Sequence, residues 1–596
     1  MVREYSTPLT VSLPTSGNLT DDVVRNASEA PDAVQFSRPD GDGGWYDVTC
    51  AAFLEEVSSV ARGLMASGIA AGDRVALLCR TRYEWTLLDY AIWFAGAATV
   101  PIYETSSAEQ VQWILSDSGA RAIVVEDDTH RAKVEQSRAD LPDLAHVWSI
   151  DSGAVAELTE TGAGVSAEEL ETRRTTAGLD DLATLIYTSG TTGRPKGCML
   201  THGNFQTELG VAVAELERLF DTDDASTLLF LPLAHVFARI IQVGCIKART
   251  RLGHSADIKN LLPQLATFRP TFILAVPRVF EKVFNTASQR ATADGKGKIF
   301  DRAAEVAITY SRALDSGRVP LRVRAQHALF SRLVYGKLRS ALGGRCEFAV
   351  SGGAPLGDRL GHFYRGIGVT VLEGYGLTET TAALTVNLPD AQKVGTVGRP
   401  IPGTAVRIAD DGELLFSGGQ VFAGYWNNAD ATAEALQDRW FRTGDVGEVD
   451  DEGFVRITGR KKEILVTAGG KNVAPAVLED RVRSSALVSQ CLVVGDGQPF
   501  IAALVTIDDE AFPAWAEQHD KSGTVADLVD DDDLRAEIQA AVDEANKAVS
   551  KAESIRKFMI LPTDWTEEAG QVTPSLKLKR NVVLRESRAE IAALYE

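Results

Sequence analysis

Long unbroken apolar runs are missing from this chain. The longest, the DYAIWFAGAATV stretch from Asp89 to Val100, falls well short of the ~20 residues a membrane-spanning helix needs. It reads as a buried helix followed by a strand. Cysteine is scarce: Cys50, Cys79, Cys198, Cys245, Cys346 and Cys491 are scattered, with no C-x-x-C pair. That excludes a zinc ribbon or a disulfide framework and suits a reducing cytosol. Basic charge is in deficit, with 61 Lys and Arg against 82 Asp and Glu and a formal net charge of −21. A nucleic-acid backbone is therefore excluded as a partner, although a local basic pocket is not. The opening MVREYSTPLTVSLPTSG has no apolar core of a secretory signal, so a cytoplasmic location is expected. Internal repeats are absent.

What is present is a chain of 596 residues, 45% hydrophobic and 24% charged, too long for one ordinary core and near the globular average. Apolar strands alternate with helices: RVALLCR (74–80), a helix over 83–97, a strand at 100–103, a helix over 108–118 and ARAIVVE (120–126). The rhythm returns at TFILAV (271–276), CEFAV (346–350) and VTVLE (369–373). Such runs imply an α/β fold, its largely parallel sheets covered by helices on both faces. Beyond Gly395 short alternating strands (405–409, 413–416, 454–458) with Asp/Gly turns imply a small antiparallel barrel or sheet over about 395–460. The remaining residues, 461–596, suit a small α+β domain with a helix over 475–484, a hairpin over 488–507 and a helix over 534–551. The acidic run Asp530 to Asp533 caps that last helix. The expected division is thus 1–460 and 461–596.

The chemistry begins at Tyr187–Gly197, YTSGTTGRPKG, directly after an apolar strand. Glycines that let backbone approach oxygen, hydroxyls and an ammonium at Lys196 suit a polyphosphate. The spacing is not that of a P-loop: Gly190 and Gly193 are too close, and Gly197 rather than Ser or Thr follows the lysine. Arg194 to Gly197 reads as a turn, and any metal ligand must come from elsewhere. Ser351-Gly352-Gly353-Ala354-Pro355-Leu356 follows the strand CEFAV and precedes a helix, a strand–turn–helix at the carboxyl edge of a parallel sheet, where ligands usually bind. Then come Glu373-Gly374-Tyr375-Gly376-Leu377-Thr378-Glu379-Thr380, Arg442-Thr443-Gly444-Asp445, Gly459-Arg460-Lys461-Lys462 and Val572-Thr573-Pro574-Ser575-Leu576-Lys577-Leu578-Lys579-Arg580.

Together these motifs resemble, in order and from about Ala52 to Arg580, the adenylate-forming superfamily of acyl-CoA synthetases, luciferases and peptide-synthetase adenylation domains. By that resemblance Thr188, Ser189, Gly190, Thr191, Thr192, Gly193 and Lys196 cradle the phosphates of ATP. Gly352, Gly353 and Ala354 belong to the nucleotide site, Gly374, Tyr375 and Gly376 back the adenine with Tyr375 stacked on it, Thr378 touches the α-phosphate, and Glu379 holds Mg2+. Asp445 takes the ribose and Arg460 the ribose or a phosphate, Lys462 is the hinge of a mobile C-terminal domain, and Gly469-Gly470 line the path of coenzyme A in the thioester-forming pose. Lys577 is the lysine that reaches the acyl carboxylate, with Lys579 as its competitor. His235, in LPLAHVF (231–237), lies near the carboxylate. The T-P-x-x-K-x-K-R ending and the long segment 280–344 are similar to long-chain fatty-acid–CoA ligases of bacterial, actinobacterial type. The implied substrates are a long-chain fatty acid, ATP and CoA.

An acyl-AMP ligase that loads a carrier protein is the near alternative, distinguished by turnover without CoA. A lipid-binding protein without turnover would leave Lys196, Glu379 and Lys577 dispensable. The basic, apolar residues 322–338 read as an amphipathic helix that leaves peripheral membrane contact open, beside the plainer reading of a surface helical hairpin. Chain-length preference and oligomeric state are not written in the sequence.

Overall fold

The computed structural model describes residues 2–188, 194–220, 222–257, 260–573 and 577–596. Its largest sheet runs Gly424–Tyr425, Lys196–Thr201, Leu182–Thr188, Ala98–Ile102, Arg74–Leu78, Ala122–Val125 and His146–Ser149 in spatial order. The last five are mutually parallel, and the first two run antiparallel at one edge. The helix Tyr83–Phe94 buries every residue but Glu84, so the longest apolar run is indeed interior. Inside it Asp89 pairs with Arg239 at 2.5 Å, both fully buried, with Thr99 donating to the carboxylate and Arg239 donating to Thr184 Oγ1. Such a pair stays buried only because its hydrogen bonds are filled.

A second sheet places Phe272–Ala275, Phe348–Ser351 and Thr370–Tyr375 in parallel, then Thr385–Val386 and Arg399–Pro400 antiparallel. A third joins Ser226–Leu229, Arg251–His254 and Val34–Pro39, with Trp45–Thr49 antiparallel at its edge. The antiparallel region is a six-stranded sheet (Ala405–Ile408, Glu413–Ser417, Leu436–Gln437, Trp440–Val449, Val455–Arg460) that also recruits Glu4–Ser6. That first strand lies outside the expected 395–460, because its partner Ala405–Ile408 is some 400 residues away and no local pattern announces the pairing.

Residues beyond Arg460 carry their own cores. One is built on Val488–Val494, Ile501–Ile507 and the helices Pro475–Val482 and Asp532–Asn546, and another on Trp565, Val572 and Val583. Asp531 caps the helix Asp532–Asn546 by accepting from Asp533 N and Leu534 N, as the acidic run implied. The helix stops at Asn546, five residues short of the expected end, where Asn546 turns to bond Ile555 from both sides. Among the described residues no helix is long and apolar enough to cross a membrane.

Candidate active site

Strand Leu182–Thr188 returns as Lys196–Thr201, with Thr188 opposite Lys196 and Tyr187 opposite Gly197. Lys196-Gly197 therefore open a strand, where a turn was expected. The buried alternation of Cys198 and Leu200 draws the pairing up to the lysine. Gly197 serves packing: a Cβ there would meet the Tyr187 ring at 3.1 Å and Trp426 at 3.3 Å. Tyr187 in turn donates to Asp117 at 2.6 Å, and Trp113 donates to Pro195 O at 2.9 Å. Ser189, Gly190, Thr191, Thr192 and Gly193 lie outside the described residues, as do Pro574, Ser575 and Leu576.

The short strand Gly424–Tyr425 pairs with the lysine strand, placing Tyr425 opposite Cys198. Its hydroxyl donates to Glu379 Oε1 at 2.8 Å, and the Lys196 ammonium lies 5.1 Å from its ring centre. Tyr425 thus joins the ammonium and the carboxylate that the sequence had assigned separately. Its own signal is faint, an aromatic after glycine in a stretch without periodicity. Beneath them Cys198 is buried 3.8 Å from the Thr188 hydroxyl, its thiol pushed well up by burial and then by the Glu379 charge. Glu379 has no ion-pair partner among the described residues, and no cluster of three or more His, Cys, Asp or Glu is built there to cage a metal. That donor set fits magnesium, which takes one carboxylate and fills its octahedron with water and substrate phosphates.

The strand Thr370–Tyr375 leads into this turn through Gly376, whose Cβ would fall 1.4 Å from Ala382 O. Only glycine fits. A Cβ on Gly374 would likewise sit 3.1 Å from Thr385 O. Thr378 and Glu379 open the 3-10 turn Thr378–Thr380. The Tyr375 hydroxyl donates to Asp445 Oδ2 at 2.6 Å, and Arg460 Nε sits 3.0 Å from Asp445 Oδ1 across the paired strands. Asp445, expected at the ribose, and Arg460, expected at the ribose or a phosphate, therefore form one pair that holds the tyrosine. Burial pushes the Asp445 carboxyl up, and Arg460 opposes it.

A Cβ on Gly352 would meet the Phe237 ring at 3.1 Å, and Gly353 holds φ +84° with Lys577 Cε 3.5 Å and Nζ 3.7 Å from where its Cβ would be. Lys577 shares a crevice with Val276, Pro277, Arg278, Ala354 and Pro355. Its ammonium is held below the usual lysine range by desolvation, then by Arg460, with Asp445 pulling the other way. Lys579 instead precedes the helix Arg580–Glu586, its N–H bonded to Gln571 O. His235 caps the helix Val236–Lys247, its Nδ1 accepting from Phe237 N at 3.2 Å. Burial and the Lys577 charge push its pKa down to about 3, so the ring is neutral with its proton on Nε2. Glu373, which opens its motif in the sequence without an assigned role, accepts from Leu356 N at 3.0 Å and ties the Gly352–Pro355 turn to the neighbouring strand. Burial raises it to about 7.

Lys462, expected as the hinge, and Gly469-Gly470, expected beside coenzyme A in the thioester-forming pose, lie away from the crevice. Lys462 sits in the exposed 3-10 turn Lys461–Glu463, where its neighbour Lys461 pairs with Asp411 and Glu413. Gly469 and Gly470 lie on the exposed turn between Leu465–Val466 and Asn472–Val473.

A glycine turn at a parallel sheet edge, facing a lysine from the C-terminal region, is an arrangement that suits a nucleotide-activating enzyme. Residues 23–426 match the family model described as AMP-binding enzyme, and residues 462–596 match the model described as AMP-binding enzyme C-terminal domain. The chain belongs to the AMP-binding enzyme family. It is 53% identical over 599 residues, covering 100% of both chains, to the long-chain-fatty-acid–CoA ligase FadD15 of Mycobacterium tuberculosis (strain ATCC 25618 / H37Rv). Its fold is similar to that of the anthranilate CoA ligase AuaEII in complex with anthranoyl-AMP, with a TM-score of 0.73, 21% identity and 98% and 99% of the two chains covered. A Mycobacterium tuberculosis fatty acyl CoA synthetase aligns with a TM-score of 0.63 at 24% identity, over 96% of this chain and 99% of that one.

Proposed function

We infer that the protein joins a long-chain fatty acid to coenzyme A through an acyl-adenylate. The observation that carries this reading is a chain of neighbours: Tyr425 bonds Glu379 beside Lys196, Asp445 and Arg460 hold Tyr375, and the charges of Arg460 and Asp445 act on Lys577, which lies against the Gly353 turn. The full-length likeness to a long-chain-fatty-acid–CoA ligase supports the choice of acid and of thiol.

A carboxylate oxygen attacks the α-phosphorus of ATP and pyrophosphate leaves. Lys196 offsets charge on the departing phosphates, and Glu379 is the carboxylate that would hold magnesium, which supplies further charge neutralisation there. The neutral His235 has an Nε2–H free to orient the fatty carboxylate without forming a competing ion pair. Lys577 supplies a desolvated positive charge at the crowded phosphorus, where low dielectric makes it count. In the second step the CoA sulfur, its thiol proton lost, attacks the acyl carbon and AMP leaves. Lys577 fills the crevice in the present arrangement while Gly469-Gly470 lie outside it, so this is the adenylating pose. A turn of the small domain about Lys462 exchanges the two.

The decisive experiment incubates the protein with palmitate and Mg·ATP, with and without CoA, and identifies products by mass spectrometry. Palmitoyl-CoA with stoichiometric AMP is expected. Palmitoyl-AMP that accumulates despite CoA would redirect the reading to a carrier-protein acceptor, and ADP in place of AMP would overturn it.

A further inference from the structure

We propose that the segment 316–346 is a docking surface for an anionic lipid membrane. In a chain of net charge −21, no acid occurs between Asp315 and Glu347, whereas seven Lys and Arg do. Arg345 pairs with Asp224, and Arg339 donates to Ile367 O. Arg318, Arg322, Arg324, Arg332 and Lys337 are exposed and make no ion pair among the described residues. The three acids of the adjoining helix Gly297–Asp315 do not pair with them: Glu305 is taken by Arg302 and Asp315 by Arg365, and Asp301 makes no ion pair among the described residues.

The same segment gathers exposed apolar surface. Leu321 is 82% exposed, and Leu329 and Leu333 are each 55% exposed; with Ile299 and Leu314 of the adjoining helix they are five of the eight large hydrophobics exposed among the described residues. The helix Leu321–Phe330 buries no residue at all. At ~3.6 residues per turn, Val323, His327 and Phe330 share its inward side. His327 stacks on Tyr310 with ring centres 3.8 Å apart and bonds Gly366 O at 2.6 Å, and Phe330 packs against the main core. Leu321, Arg322, Arg324, Leu329 and Arg332 share the outward side. The sequence had implied an amphipathic helix with opposed faces, whereas here leucine and arginine mix on one face. A helix meant for water alone would carry acids between its arginines. Leucines that enter the acyl boundary beside arginines that reach lipid phosphates make such a mixed face stable at a membrane, and net negative charge elsewhere orients the molecule. The layer continues into helix Pro277–Ala293, whose first residues line the Lys577 crevice. The surface does not depend on which acid the crevice activates.

The test is sedimentation of the full chain with vesicles of phosphatidylcholine alone or with one-quarter phosphatidylglycerol. Wild type is expected to bind the anionic vesicles and to be released by 0.5 M salt. Replacing Arg322, Arg324 and Arg332 by Gln weakens that partitioning by roughly fivefold per arginine, and Leu321→Ser with Leu329→Ser and Leu333→Ser weakens it independently. Turnover of acid presented in detergent stays at the wild-type level in both variants, which shows the site intact. Binding to neutral vesicles equal to that on anionic ones, binding unchanged in either variant, or no vesicle binding at all, as a patch reserved for an acidic protein would give, overturns the proposal.

Discussion

At the scale of single residues, the crevice separates groups that carry charge from groups that aim it. Lys577→Ala is expected to slow adenylation about 100- to 1,000-fold, the usual loss for one transition-state charge, while thioester formation from supplied acyl-AMP changes by no more than a few fold. Equal loss in both half-reactions would remove Lys577 from its role. Its depressed pKa gives the pH dependence a sign. With the ammonium as the proposed working form, adenylation is expected to be retained at low pH and lost as pH rises through a value below the ordinary lysine range. An alkaline limb of kcat/KM that persists in Lys577→Ala would place the titration elsewhere. Tyr425→Phe deletes one hydrogen bond to the Glu379 carboxylate. Bonds to charged groups are worth about 1.5–3 kcal/mol, so kcat/KM for Mg·ATP should fall roughly 10- to 100-fold. A variant that binds Mg·ATP as wild type would leave Tyr425 a packing residue.

At the scale of elements, the Glu373 carboxyl couples strand Thr370–Tyr375 to the glycine turn through Leu356 N. Its folded pKa of about 7 lies above the usual 4.5, so the folded state binds the proton more tightly than the unfolded chain. Stability linked to this group is present below pH 4.5 and declines as pH rises towards 7. Glu373→Gln keeps the acceptor oxygen and removes the titration, so it should gain about 1–3 kcal/mol at pH 8 and little at pH 4.5. Thermal melts at the two pH values measure the difference, and an equal gain at both would dissociate the effect from ionisation. Elements with strong local punctuation were legible in the sequence. Helix Ala108–Ser118 has the expected limits because Ser107 and Gln110 form a capping box and Gly119 closes it in left-handed conformation at φ +60°. Strands such as Phe272–Ala275 came out shorter than their apolar runs, since burial continues past the last ladder bond. Tyr425 was not legible, because it reaches Glu379 only through a strand pairing two residues long.

At the scale of the whole molecule, the pose is held by charge across the domain boundary. Arg278 sits 2.8 Å from Asp508, Lys282 sits 2.8 Å from Glu510, and Arg359 donates to Ser484 O at 3.3 Å. Asp480 and Arg483 pair beside Glu281 on the same seam. Each exposed pair contributes at most about 1 kcal/mol, which suits a clasp that the proposed turn of the small domain would open. Arg278→Glu with Lys282→Glu is expected to slow adenylation about tenfold and leave thioesterification of supplied acyl-AMP unchanged or faster. Parallel loss of both steps would mean that the seam supports folding and not the pose. The order of motifs made the two-part architecture readable, but not this seam. Its partners lie about 230 residues apart, and each side looks like an ordinary charged surface in sequence.

The strand Glu4–Ser6 imposes a schedule on biosynthesis. Its partner Ala405–Ile408 leaves the ribosome some 400 residues later, a delay of about 20–80 s at ordinary elongation rates. Until then the sheet that positions Asp445 lacks its edge, and Tyr5, which packs into that sheet's core, has no home. The parallel layers can consolidate during that interval. The nucleotide crevice therefore closes late in the chain's emergence, and a nascent polypeptide halted before residue 405 cannot be competent for adenylation however well its first sheets have folded.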